Sequence, residues 1–422
     1  MLLALQIYFS ISSFALYVYA MRNRTSASHA FGYGVALNIF PLMFAPSFSM
    51  DLARLAGVPL AYLPIMSAGF ALSAQGRLQI DNYNKGLLTL SLVFSIYTFI
   101  TGLIINDFSF VNFTYWVVWP FNFLIFFAAM RLFTTASNIQ STTLLKSISF
   151  ILTLGCAVGI ARFVFGISGD SNFMPVVNRN GTVIFVVMVL PLLFGLHSRR
   201  EISTSFFGAS LSIIFVALIL MTSRSGLIGA LVAVSVYYIR FNIQSLLKFG
   251  LILSVMGIFL MTEIGDVAIQ RMDAGLASTQ KYTSGDEFDA DEKDFNRVQL
   301  MTAAILVIEK NFLLGSGLGL ENYRKKLREV SNYHKESKAH NFYLSYMAEL
   351  GLLGLSALII FFSLVFQKLI GLRSIYPEFR TSFIVIAVMM TMNEYILLPE
   401  IWFFFGVLVG ISIRLKRDPR FS

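Results

Sequence analysis

Apolar runs of about 18 residues or more recur along most of this chain, and each is long enough to cross a bilayer as a helix. The candidate spans are 2–20, 35–50, 56–74, 86–105, 113–133, 147–167, 183–198, 205–223, 226–240, 246–264, 342–370, 380–397 and 400–414. The second is short and carries Pro41 and Pro46, so the expected count is 12 or 13. Composition agrees: 56% of residues are hydrophobic and 13% charged, where a soluble domain carries about 25% charged residues. The expected fold is therefore an all-α polytopic membrane protein.

Charge orients it. Alternate connections hold Arg22 and Arg24; Arg77 and Lys85; Arg131 and Lys146; Arg199 and Arg200; Arg240 and Lys248; and Lys368, Arg373 and Arg380, with Arg414, Lys416, Arg417 and Arg420 in the tail. The intervening short connections are poor in Lys and Arg. By the positive-inside rule the basic set is cytoplasmic. The formal charge of +9 thus reflects topology and argues against a nucleic-acid partner. The first twenty residues lack a basic leader and a small-x-small cleavage site, so they read as a retained span. A single cysteine, Cys156, excludes an internal disulfide and a thiol metal cluster.

One connection is much longer. Residues 265–340 are hydrophilic and fall on the outer face by the same alternation. This divides the chain into a first bundle at 1–264, a loop at 265–340, and final helices with a basic tail at 341–422. The loop opens with the acidic "SGDEFDADEKDF". A helical pattern then runs from Arg297 to Lys310, with Val298, Met301, Ile305 and Ile308 at amphipathic spacing. "GSGLG" at 315–319 breaks it. This lacks the preceding strand and the Lys-Ser/Thr ending of a phosphate loop and reads as a turn between helices. The acidic run fits no metal-loop spacing and reads as a solvated linker.

Several polar residues gather on the loop side. His340 is the second residue of "AHNFYLSYMAELGLLG"; it is either an interfacial residue or a general base, since neutral imidazole accepts a proton near physiological pH. His29, His197 and His334 are weaker candidates by position. Arg224, in "TSRSGLIGA", sits between two apolar runs, as a snorkelling residue or as an anion ligand. Arg297 leads the loop helix, Arg179 lies in an outer connection, and a further outer arginine, Arg162, is expected just within its span. Converging guanidinium groups would grip phosphate bidentately. Glu349 follows His340 by nine residues, about two and a half turns, so the two face different sides of a straight helix. A buried polar bond to a neighbouring span is the role expected of Glu349.

The ordered set resembles the O-antigen ligase and polymerase family of bacterial envelope glycosyltransferases. It comprises His340-Asn341, nine residues, then Gly351-x-x-Gly354; the earlier Arg224 in "SRSG"; and "NRVQLMTAAILVIEKNFLLGSGLG". The likeness covers roughly residues 180–360. It implies a GT-C-type membrane glycosyltransferase of the inner membrane, needing no metal or other cofactor. Such an enzyme takes a glycan from undecaprenyl diphosphate at the periplasmic face and joins it, with inversion, to an acceptor hydroxyl. Arg224 and Arg297 would hold the diphosphate, with His340 and Asn341 beside it; Arg179 is added on position and charge. The basic segment with Arg324, Lys325, Lys326 and Arg328 would meet the acceptor. A lipid A–core acceptor makes this a ligase, and a lipid-linked repeat makes it an O-antigen or exopolysaccharide polymerase. A transporter or flippase is the third class. It predicts charges spread along a path and two related halves, whereas here the polar residues collect at one face.

Overall fold

Serine caps and first-turn prolines set the starts of several helices in this chain. The structure is a computed structural model, and it describes residues 54–55, 58–59, 82–104, 109–166, 179–221, 223–238, 297–330, 338–370 and 376–417. The spans expected at 2–20, 35–50 and 246–264, most of 56–74, and the acidic stretch lie outside the described residues. Apart from a two-stranded antiparallel pairing of Arg54–Leu55 with Val58–Pro59, the described elements are helical.

The helices are α1 (Asn82–Phe99, extended by a π turn at Ile100–Ile104), α2 (Phe110–Thr135), α3 (Asn138–Val164), α4 (Arg179–Ser198), α5 (Thr204–Leu220) and α6 (Arg224–Tyr238). They continue with α7 (Arg297–Lys310), α8 (Leu320–Val330), α9 (Phe342–Ile370), α10 (Pro377–Met390) and α11 (Pro399–Arg417). Ser137 starts α3 with a capping box: its hydroxyl accepts from the Gln140 N–H, and the Gln140 side chain accepts from the Ser137 N–H. Among the described residues, four helical stretches are long and apolar enough to cross a membrane: Lys85–Ile104, Phe110–Arg131, Asn138–Val164 and Phe342–Ile370. Thr182–Ser198, Thr204–Leu220 and Ser225–Tyr238 are shorter apolar helices. The expected span 380–397 is not continuous. Its helix stops at Met390, and a short 3₁₀ turn follows at Tyr395–Leu397.

The bundle is centred on α11, which is buried along nearly its whole length. Gly406 and Gly410 lie one turn apart on α11. A Cβ at either would collide with α2, at the carbonyls of Phe126 and Met130 respectively, so the two backbones touch as small-residue interfaces allow. Trp402 then fills the space above, its ring edge-on to Phe123 (5.0 Å between centroids) and to Trp119 (6.0 Å). The indole N–H of Trp402 donates to the Ile396 carbonyl at 2.6 Å.

Polar cross-links mark two opposite ends. At one, Lys146 pairs with Glu201 at 3.2 Å, Arg199 pairs with Glu378, and Arg414 donates to the Ala136 carbonyl and to Ser141. This is the basic end. At the other, Ser109 bonds Glu321, Asn112 bonds Asn322 at 2.8 Å, and Asn341 donates to the Thr391 carbonyl at 2.9 Å. This is the loop end, where α7 and α8 sit. The sorting of the chain into a basic end and a loop end is the one that the alternation of Lys and Arg leads one to expect.

The helix expected from Arg297 to Lys310 is α7, with those bounds. Its buried face differs from the expected one, being Leu300, Ala303, Ala304 and Val307, while Ile305 is exposed. Alanine allows the closer approach: Ala303, Ala304 and Val307 form a small core with Tyr323 and Leu327 of α8 and Ala348 of α9. Met301 and Ile308 pack half-buried against its margin.

Candidate active site at the loop end

The site is built around a break in α9. Gly351 has φ +62°, and a Cβ there would collide with the Leu313 carbonyl and the Gly315 nitrogen. The turn after α7 fills the break. Ser316 and Gly317 donate their N–H groups to the carbonyls of Ala348 (2.8 Å) and Glu349 (2.9 Å), while Leu352 donates to Phe312 (2.8 Å). The Tyr97 hydroxyl of α1 lies between the carbonyls of Leu350 (2.6 Å) and Leu314 (3.1 Å). Every freed backbone group named here thus regains a partner, as burial requires. "GSGLG" is a turn between helices, with φ values of +73°, +91° and +121° at Gly315, Gly317 and Gly319.

Glu349 sits at this junction with 0% exposure. Its Oε2 accepts from the Gly319 N–H at 3.1 Å, and its other oxygen pairs with Lys338. So its buried polar bond goes to the loop rather than to a neighbouring span. Lys338, 8% exposed, also lies 3.6 Å from Glu394 and over the rings of Tyr115 (4.8 Å) and Tyr346 (5.6 Å). Burial disfavours its charge, but Glu349 and Glu394 outweigh this and hold the ammonium above its usual range. Glu394 receives the Ser345 hydroxyl. Burial raises its proton affinity, with Lys338 pulling the other way and Glu349 adding to the rise. One lysine thus faces two carboxylates.

Sequence reasoning passed over Lys338 and Glu394. Glu394 had a visible signal, an acidic residue at the end of the apolar run 380–397, where burial of a charge demands a partner. Lys338 had none, being one cation in a basic segment.

His340 follows two residues after Lys338. It is exposed and has φ +49°, a conformation uncommon outside glycine. Asn341 caps α9: its Oδ1 accepts from the Leu344 N–H at 3.1 Å, while its Nδ2 holds the end of α10 through Thr391. The amide of Asn341 is thereby committed to structure at both ends.

Arg179, Arg224 and Arg297 are the first residues of α4, α6 and α7. Their side chains lie outside the described residues. Their helices can still be placed. A Cβ at Gly226 would meet Val183 of α4 at 2.8 Å, and one at Gly229 would meet Met389 of α10 at 2.7 Å. So the starts of α4 and α6 adjoin the end of α10, which Asn341 ties to the start of α9. The positive ends of α4, α6 and α9 face the same side, which favours an anion there. Arg162 lies in the last turn of α3.

On α8, Lys325 and Arg328 are exposed and Arg324 and Lys326 half-buried, with Lys326 3.0 Å from Glu329. Asn322, Tyr323 and Leu327 form the buried face. Among the described residues, no three His, Cys, Asp or Glu side chains gather as a metal site. His197 is stacked on Phe207 at the basic end; His29 and His334 lie outside the described residues.

Residues 209–359 match the O-antigen ligase family. The matched segment runs from α5 into α9 and encloses Arg224, Arg297, the α7–α8 turn and the His340–Gly354 motif. No curated protein matches the chain. The matched segment therefore coincides with the loop end and its supports. That likeness, beside four helices long and apolar enough to cross a membrane among the described residues, fits an enzyme of O-antigen processing.

Proposed function

We propose that the chain is an O-antigen ligase of the inner membrane, with a GT-C-type fold and its site open to the periplasm. It transfers a glycan from undecaprenyl diphosphate to a hydroxyl of lipid A–core. The observation that carries this reading is that the O-antigen ligase match encloses Arg224, Arg297 and His340, whose helices start at one end of the bundle.

In the reaction, the acceptor oxygen attacks the anomeric carbon from the face opposite the diphosphate. The bond from that carbon to the phosphate oxygen breaks, and its electron pair leaves on the diphosphate. Arg224 and Arg297, with Arg179 alongside, stabilise the charge that grows there. His340 takes the proton lost by the hydroxyl. Asn341 serves by capping α9 and holding α10, which sets where His340 stands. The basic face of α8, with Lys325 and Arg328 outermost, meets the phosphates of the acceptor. That face favours lipid A–core, which carries several phosphates, over a single lipid-linked repeat.

The test is the lipopolysaccharide of a deletion strain. A ligase predicts core without polymer and long chains retained on the lipid carrier. Core capped by one repeat would replace this reading with a polymerase, and unchanged capping would remove both.

A further inference from the structure

The residues between α7 and α8 include three neighbouring large apolar side chains that the protein leaves uncovered: Phe312, Leu313 and Leu314 are 53%, 54% and 43% exposed. They belong to a hydrophilic loop, yet two independent rulers put them well below its level. On α9, the chain enters at Phe342, and the Gly351 break that receives Leu313 lies nine residues further on, about 14 Å along the axis. On α1, the Tyr97 that bonds Leu314 lies seven residues short of the helix end at Ile104, about 10 Å.

The chain then climbs back along α1 and α2. Leu318 lies against Gly102, and Asn322 bonds both the Gly102 carbonyl at 2.9 Å and Asn112 near the start of α2. Position along the loop and height along α1 rise together, so residues 312–314 are the lowest point of a dip.

At that depth the neighbours on both flanks are also uncovered and apolar. Ile96 and Ile100 of α1 are exposed, as are Leu352 and Leu353 of α9. Lys85–Ile104 and Phe342–Ile370 are candidate membrane spans. The patch is therefore continuous with the outward faces of two spans. Irregular backbone is tolerated inside a bilayer only when its polar groups find protein partners. The bonds to Ala348, Glu349, Leu352 and Tyr97 described above meet that condition.

We propose that Phe312–Leu314 form a re-entrant tip lying among the lipid acyl chains of the leaflet at the loop end. The tip holds α7 and α8 against the membrane boundary and seals the break in α9 from beneath.

Spin-label depth measurement tests it in the full-length protein. In a Cys156→Ala background, Leu313→Cys is labelled with a nitroxide and reconstituted in phosphatidylglycerol–phosphatidylcholine vesicles, with Lys325→Cys on α8 as the aqueous reference. Oxygen should relax the Leu313 label more strongly than a water-soluble nickel chelate, and the Lys325 label should show the reverse. A Leu313 label as open to the nickel chelate as the Lys325 label overturns the proposal; so does one shielded from both agents, which would mean a protein cover. Photolabelling of unaltered protein by a phospholipid with a diazirine in its acyl chain avoids substitution altogether. Adducts should map to the peptide holding Phe312–Leu314, and their absence there, with adducts present on α1, would sink the idea.

Discussion

The two ends of the bundle each hold a buried acid–base pairing and a residue with positive φ, and they resolve them differently. At the basic end, Glu378 faces Arg199, one charge for one, and the guanidinium lies 4.5 Å over the Tyr376 ring. Arg200 has φ +58°, but the bonds from its N–H to His197 and from Glu201 to Leu196 make it the left-handed residue of an ordinary helix ending. At the loop end, one lysine faces two carboxylates, and the positive φ falls on His340, ahead of a helix start where no such ending calls for it. At the basic end the buried pair is matched one for one, and the positive φ belongs to a helix ending. Uneven charge and backbone strain are concentrated where the reaction is proposed, as is common where a side chain must be held for function.

That contrast is broken most directly at His340. His340→Ala should lower transfer by about 10²–10⁴-fold, the range of a lost general base, with protein yield and thermal stability unchanged because an exposed side chain is removed. His340→Gln keeps hydrogen bonding without basicity and should fall nearly as far. Full transfer by His340→Ala, measured with a defined lipid-linked donor, would reduce the strained residue to an interfacial one. Arg224→Lys and Arg297→Lys come next, each with a loss on the order of 10²-fold if guanidinium geometry carries the diphosphate. Near-normal rates in both lysine variants would leave only general attraction.

How far the sequence disclosed this difference depends on range. Helix positions were legible because each apolar run is a local signal: the run expected at 342–370 is α9 with those bounds, and the Arg297–Lys310 pattern is α7. The break at Gly351 was not, because its cause lies in the turn at 312–317, which docks there through backbone bonds that no side-chain pattern records. Glu349 could be recognised as a buried acid needing a partner, since an apolar run surrounds it. Its partner could not be named, because Lys338 comes from the loop and Glu394 from beyond α10. The charge alternation separated the ends before any packing was known, yet said nothing of which end holds a surplus carboxylate.

That surplus gives a smaller effect, read in stability. Glu349→Gln leaves Lys338 with one distant carboxylate, and breaking a buried pair costs about 3–5 kcal/mol. Glu394→Gln instead leaves Lys338 and Glu349 as a one-for-one pair, like Arg199 and Glu378, and should shift stability by no more than about 1 kcal/mol. The sign with pH follows from burial. Glu394 binds its proton more tightly folded than unfolded, so between the ordinary carboxylate range and its raised value the folded protein holds more protons. Its contribution to stability therefore falls as pH rises through that window. Melting temperatures across it should show this fall in the parent protein and lose much of it in Glu394→Gln. Equal destabilisation by the two Gln variants would mean that the loop end is balanced after all.

The smallest effect concerns the rim of the loop end, where charges reach solvent and are screened by salt. Arg324, Lys325, Lys326 and Arg328 lie on α8, whose other face is fixed by Asn322, Tyr323 and Leu327. Neutralising the four together should therefore leave the fold intact. If the acceptor brings several phosphates to this helix, its KM should rise several-fold at low salt, while the donor KM stays nearly constant because the arginines at the starts of α6 and α7 are untouched. The difference should shrink as ionic strength approaches 0.15 M, where the screening length is about 8 Å and exposed charges lose most of their reach. A rise in donor KM instead would assign α8 to the diphosphate. An acceptor KM that is unchanged at low salt would detach the helix from substrate binding and weigh toward a polymerase, whose acceptor offers mainly one diphosphate.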